Sequence, residues 1–211
     1  IVTSTVDAQT IPLYKNSRAP INERVKDLLD RMTPTEKFWQ LFMIPGDIKP
    51  GDAPKYKDGL FGFQVSAASA GGEGAQQMLQ YNATETAVSL AKKVNIIQRF
   101  FMDSTRLGIP MLPFDEALHG LVRQGSTIFP QSIGLAATFK TSTMEAVAGA
   151  IAKESKIRGI RQILSPVINI ATDVRWGRTE ETYGEDPFLS SKMGVAYMKT
   201  LEDENIIAIN F

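Results

Sequence analysis

The 211 residues predict an α/β fold in which a parallel sheet is linked by helical crossovers, and three observations carry that prediction. Short apolar runs that read as buried strands alternate with helical patterns four times, at intervals of tens of residues. Helix starts are marked by Thr33-Pro34-Thr35-Glu36 and by Asp186-Pro187, each a capping residue followed by proline at the first helical position. The length allows one sizeable core and favours a single domain.

Residues 1–20 are polar, contain Pro12 and Pro20 and lack periodicity, so they read as an extended N-terminal arm. Within it, Val6 to Gln9 is open to two readings, a remnant beside a cleaved export signal or an ordinary N-terminus. Ile21, Val25, Leu28, Leu29 and Met32 have the one-sided spacing of a first helix. The Thr33 capping box opens a second, which carries Phe38, Leu41 and Phe42 and is stopped by Pro45-Gly46. Residues 47–58 are a Gly, Pro, Lys and Asp-rich loop before a first strand over 59–65. A long helix through Ala87, Leu90, Ala91, Val94, Ile97 and Phe101 ends near Gly108, and 109–114 is the second strand. Thr143 caps a helix through Val147, Ala148, Ile151 and Ala152 to Arg158-Gly159, followed by a third strand over 163–170. The helix from Asp186-Pro187 carries Val195, Met198 and Leu201, and 206–211 is a fourth strand-like run.

This alternation fits either a doubly wound sheet or a (β/α)8 barrel. The first would favour a glycine-rich phosphate loop after an early strand. The glycines of AGGEGAQQ, residues 70–77, have neither the Lys-Ser/Thr ending nor the dinucleotide spacing, so they read as a flexible loop. Composition narrows the function classes further. Lys and Arg number 23 against 23 Asp and Glu, so no net field draws the chain to nucleic acid or to an anionic membrane. No apolar run approaches the roughly 20 residues that span a bilayer. With 0 cysteines, disulfides, thiolate catalysis and Cys-ligated metals are excluded, while the compartment stays open.

The charged clusters follow the strands. The second strand runs into Asp115-Glu116-Ala117-Leu118-His119-Gly120, and the third into Asn169 and then RWGRTEETYGEDP, residues 175–187. Loops held by a rigid scaffold are where binding and chemistry concentrate. Arginine forks beside carboxylates and an indole suit a neutral polyhydroxylated ligand, a sugar rather than a phosphate. Glu116 has an alternative role in a helix-dipole or loop salt bridge, and Arg178 in an ion pair with Glu180 or Glu181. His119, one histidine without a partner nucleophile or second ligand, reads as a loop organiser. Trp176 and Tyr183 are expected to pack the second loop, Asp186 to start the following helix, and Glu180, Glu181 and Glu185 to hold the arginines and backbone amides. Two arginines nearby argue against a cation site, and neither metal nor cofactor is expected.

FDEALHGL (114–121), TIFPQSIGLAATF (127–139) and PVINIATDVRWGRTEETYGEDPFL (166–189) together resemble the N-terminal barrel domain of glycoside hydrolase family 3. VKDLLDRMTPTEKFWQL, residues 25–41, is similar to that family's opening helices, and the resemblance runs from about Leu13 to Ala208. It implies a partial (β/α)8 TIM-type barrel of about four βα units with N-terminal helices, an arm at 1–20 and an incomplete barrel domain at 21–211. It also implies that Glu116, three residues before the histidine, and Arg178, the last arginine of RWGR, bind the substrate sugar, with His119, Trp176 and Glu181 organising the loops.

Family members are retaining enzymes that use two carboxyl groups about 5 to 5.5 Å apart. Their nucleophile is an aspartate on a later barrel strand and their acid/base lies farther on, so the resemblance assigns no catalytic residue here. Where the family has a Lys-His-Phe motif after the fourth strand, this chain reads Ile206 to Phe211 without Lys or His. The expectation is an N-terminal fragment of an exo-acting β-glucosidase or β-xylosidase, periplasmic or secreted and inactive by itself. Its full-length parent would take a β-linked oligosaccharide or an aryl β-glycoside, and the fragment would form a homo-oligomer. The alternative is a non-catalytic carbohydrate-binding or self-associating half-barrel.

Overall fold

The computed structural model describes residues 11–46, 48, 51–65 and 85–210. The 6–9 stretch, the glycine-rich 70–77 segment and Phe211 lie outside the described residues. Five strands, β1 (Met43–Gly46), β2 (Gly62–Val65), β3 (Leu112–Asp115), β4 (Gln162–Ile163) and β5 (Ile207–Ala208), form one sheet in the order β1-β2-β3-β4-β5. Every pairing is parallel, with Met43 opposite Gly62, Gly62 opposite Leu112, Phe114 opposite Gln162 and Gln162 opposite Ile207. This order has no reversal, and a doubly wound sheet requires one.

The described helices are α1 (Ile21–Arg31), α2 (Pro34–Trp39), α3 (Ala87–Ser104), α4 (Ser132–Ala136), α5 (Thr141–Ile157) and α6 (Pro187–Asp203). Side chains of α3 (Leu90, Val94, Ile97, Phe101) pack with Phe63 and Val65 of β2. A second core joins Ile163 of β4 to Met144, Val147, Ala148 and Ile151 of α5 and to Met193, Tyr197 and Leu201 of α6. These helices therefore cover the sheet, as parallel crossovers must.

The four strands read from the sequence become five among the described residues, because β1 was not read as a strand. The sequence reading carried the second helix through Leu41 and Phe42, but α2 ends at Trp39, and the Phe42 carbonyl already accepts the Gly62 amide at 3.1 Å. Pro45-Gly46, read as a helix stop, is the end of strand β1. The capping box is present: Thr33 Oγ1 accepts the Glu36 amide at 3.2 Å and Glu36 Oε2 accepts the Thr33 amide at 2.8 Å. Arg106 clamps the same glutamate, and this pairing holds the Glu36 carboxyl below the usual range.

Other boundaries shift as well. Of 163–170 only Ile163 lies in β4; the Leu164 amide still donates to the Asp115 carbonyl at 2.9 Å, and beyond it Pro166 has no amide hydrogen to donate. Helix α5 begins at Thr141, so Thr143 is inside it and Lys140 is its N-cap. Helix α3 stops at Ser104 rather than beside Gly108. Gly108 turns the chain back at φ +60°, where a Cβ would sit 2.7 Å from the Met102 carbonyl oxygen. The apolar spacing of α1 does not become a buried face. Ile21, Val25 and Leu29 are exposed, and α1 is instead tied to the 3-10 turn Leu13–Lys15, where the Tyr14 amide donates to Asp27 at 3.0 Å.

Candidate functional site

The loop after β3 is anchored from inside the sheet. Asp115, grouped with the loop charges in the sequence, is the last residue of β3 and fully buried. Its Oδ1 accepts the Glu116 amide at 2.9 Å and Gln64 Nε2 at 3.1 Å, and its Oδ2 accepts Arg123 Nε. Arg123 Nη2 reaches on to the carbonyl of Val65, the last residue of β2, at 3.0 Å. The turn from 116 to 123 is thus stapled to two strand ends by charge-assisted bonds. Burial pushes the Asp115 carboxyl up, while Arg123, Gln64 and the Glu116 amide pull against it.

His119 links this turn to the next segment. Its Nδ1 lies 3.1 Å from the Phe129 carbonyl oxygen, and the Phe129 amide donates to the His119 carbonyl at 2.8 Å. The crossing is tight at Gly120, with φ +124°, where a Cβ would lie 2.2 Å from the Thr127 carbonyl oxygen, so only glycine fits. A cavity of about 310 Å³ opens beside the turn, lined among others by His119, Arg123, Ser126 and Ile128.

The loop after β4 is built from local bonds. Arg178 Nε and Nη2 donate to Glu181 Oε2 at 2.9 and 2.6 Å across the 3-10 turn Thr179–Glu181. Arg175 is held by Asp173, with Nη2 2.6 Å from Oδ2, and not by one of the three glutamates named from sequence. Trp176 remains partly exposed, and its carbonyl accepts Thr179 Oγ1 at 2.9 Å, whereas Tyr183 is buried in the core under α5 and α6. Asp186 starts α6, its Oδ1 accepting the Leu189 amide at 2.6 Å.

The two loops are coupled electrostatically at Glu116. Burial raises its pKa to about 7, the Asp115 charge adds to the rise, nearby Arg178 lowers it and Glu181 raises it. Arg178 in turn responds to Glu116. From behind, Tyr197 of α6 donates from Oη to the Ala117 carbonyl at 2.6 Å, with Ser165 Oγ 3.3 Å away, and burial pushes the Tyr197 hydroxyl up. A carboxyl whose pKa is raised to about 7 and a guanidinium whose charge acts on it are both groups that can bond hydroxyls. Among the described residues no group of three His, Cys, Asp or Glu side chains could hold a metal ion, and no helix is long and apolar enough to cross a membrane.

Residues 36–210 match the family model described as the glycosyl hydrolase family 3 N-terminal domain. The chain belongs to that family. It is 30% identical over 208 residues to β-glucosidase C of Emericella nidulans, a match covering 92% of this chain and 32% of that protein. A β-xylosidase of Formosa agariphila is 40% identical over 103 residues, covering 46% of this chain and 14% of its own. The structure of a β-glucosidase from Erythrobacter marinus superposes with a TM-score of 0.77 at 28% identity, covering 95% of this chain and 26% of that one. The chain therefore spans about a third or less of the length of these three proteins.

Gln64, Asp115, Arg123 and Tyr197 were not singled out from sequence. Asp115 could have been, since a carboxylate at the last position of a buried strand must find a cation or several donors. Tyr197 carries no such signal, because its role depends on which loop α6 happens to pass.

Proposed function

We propose that this chain is the sugar-binding N-terminal part of a retaining, exo-acting β-glycosidase that hydrolyses terminal β-D-glucosyl or β-D-xylosyl residues. The observation that carries the reading is the placement of Glu116 and Arg178 on loops after the neighbouring parallel strands β3 and β4, where their charges interact. Names of the relatives support both sugars, which differ by one hydroxymethyl group. In this account the five strands are part of a (β/α)8 barrel, whose sites lie at the C-terminal ends of the strands.

Glu116 and the fork of Arg178, aligned by Glu181, grip adjacent sugar hydroxyls, and the indole of Trp176 flanks the loop. Hydrolysis by the retaining route needs a nucleophilic carboxylate and an acid/base about 5 to 5.5 Å from it. No described carboxylate is assigned either role, so the 211-residue chain binds without turnover. The test is to read the coding region past Phe211 and assay the complete polypeptide on aryl β-glucosides and aryl β-xylosides. Turnover that falls at least about tenfold in Arg178→Ala supports the reading, a loss of about 1.4 kcal/mol in transition-state binding. Normal kinetics in both Arg178→Ala and Glu116→Ala overturn it.

A second reading, self-association, rests on the sheet edges. Among the described residues β1 and β5 each have one neighbour in the strand order, and Ile207 of β5 is exposed. Unpaired parallel edges beside apolar side chains favour pairing with a second copy. Light scattering on a size-exclusion column decides: a dimer mass supports it, and a peak at 23.2 kDa over a wide concentration range contradicts it.

A further inference from the structure

We propose that Asp115 is the positioning residue for the Glu116 carboxyl, holding the Glu116 amide directly and fixing the strand ends around it through Gln64 and Arg123. This rests on the sugar-binding role of Glu116 proposed above. The three donors on Asp115 come from three places: Gln64 of β2, the backbone of Glu116, and Arg123 at the far end of the turn. A neutral Asn has one acceptor oxygen and an amide that must itself donate, so it could not receive all three. Asp115 is fully buried at the strand end, whereas Glu116, the next residue, is half-buried. The Asp115–Glu116 amide bond then fixes where the next side chain departs from the backbone.

The charged and titratable groups facing Glu116 are Asp115 from β3, Arg178 and Glu181 from the loop after β4, and Tyr197 from α6. Burial and the Asp115 charge favour the protonated form, and Arg178 opposes them. A carboxyl half-protonated near neutrality can donate to one sugar hydroxyl and accept from its neighbour. Asp115 thereby fixes the backbone from which the group departs, and its charge adds to the rise that burial imposes.

The experiment follows the Glu116 side-chain carboxyl and backbone amide by NMR through a pH titration of the 211-residue chain, with and without methyl β-D-glucopyranoside. The variants are Asp115→Asn and, because that change strands a buried guanidinium, the neutral pair Asp115→Asn with Arg123→Gln. Wild type is expected to titrate at about 7. In whichever variant is folded the midpoint moves toward the ordinary 4.5, the amide resonance shifts, and glycoside affinity drops about tenfold. A folded variant that keeps the wild-type midpoint and amide position overturns the proposal. If wild type binds no glycoside while the midpoint still follows Asp115, positioning is supported and the sugar reading falls instead.

Discussion

Asp115 and Arg123 form their ion pair inside the protein, at side-chain exposures of 0% and 4%, whereas Arg178 and Glu181 pair at 50% and 20%. One loop of the candidate site is thus anchored through buried charge that spans β2 and β3, and the other is shaped by contacts three residues apart. The difference is energetic as well as geometric. A buried pair is costly to assemble and costlier to break, because the survivor is left charged and desolvated. An exposed pair contributes up to about 1 kcal/mol and can rearrange when a ligand arrives. The first loop supplies a fixed reference, and the second supplies an adjustable fork.

The comparison breaks most visibly at Asp115. Asp115→Ala should destabilise the chain by about 3 to 5 kcal/mol in urea unfolding, the range for removing one partner of a buried pair. A change below about 1 kcal/mol would mean that water already satisfies Arg123. Tyr197→Phe removes only the hydroxyl that supports the Ala117 carbonyl, and should cost about 1 to 3 kcal/mol in the same measurement.

A pH series sharpens the contrast. The folded-state pKa of Glu116 is raised, so between about 4.5 and about 7 the folded chain binds more protons than the unfolded one, and this group's stabilisation is lost as pH rises through that window. Urea midpoints should fall accordingly, and Glu116→Gln should flatten the slope. An unchanged slope in Glu116→Gln would place the titrating group elsewhere. The smallest stability effect is expected at Arg178: Arg178→Ala should change unfolding by no more than about 1 kcal/mol, since its partner Glu181 stays near the surface. A loss as large as that of Asp115→Ala would erase the distinction between the loops.

Periodicity and caps made much of this fold legible. The helix starts at Thr33 and Asp186 follow from local chemistry that does not depend on the rest of the molecule, and both are present. Strand β1 was hidden because its four residues contain Pro45 and Gly46, which signal breaks when read locally and are tolerated here at the end of the strand order, next to β2 among the described residues. The apolar stripe of α1 predicted a helix correctly, yet Ile21, Val25 and Leu29 on it are exposed, since periodicity reports what a helix could bury and not what lies against it. At the candidate site, the pairing of Arg178 with Glu181 was legible from their spacing of three residues. The groups that hold Asp115 were not: Arg123 and Gln64 meet there only after β2 and β3 pair, a contact across 51 residues for Gln64.

The central claim, that these two loops make one sugar-binding half-site, is tested most directly by amide and side-chain NMR of the chain titrated with methyl β-D-glucopyranoside and methyl β-D-xylopyranoside. Shifts should concentrate at Glu116, at Arg178 and in the turn Thr179–Glu181, and should vanish in Arg178→Ala while the Asp115 and Arg123 resonances stay in place. Saturating shifts confined to other surfaces, or shifts at Glu116 that survive unchanged in Arg178→Ala, would contradict it.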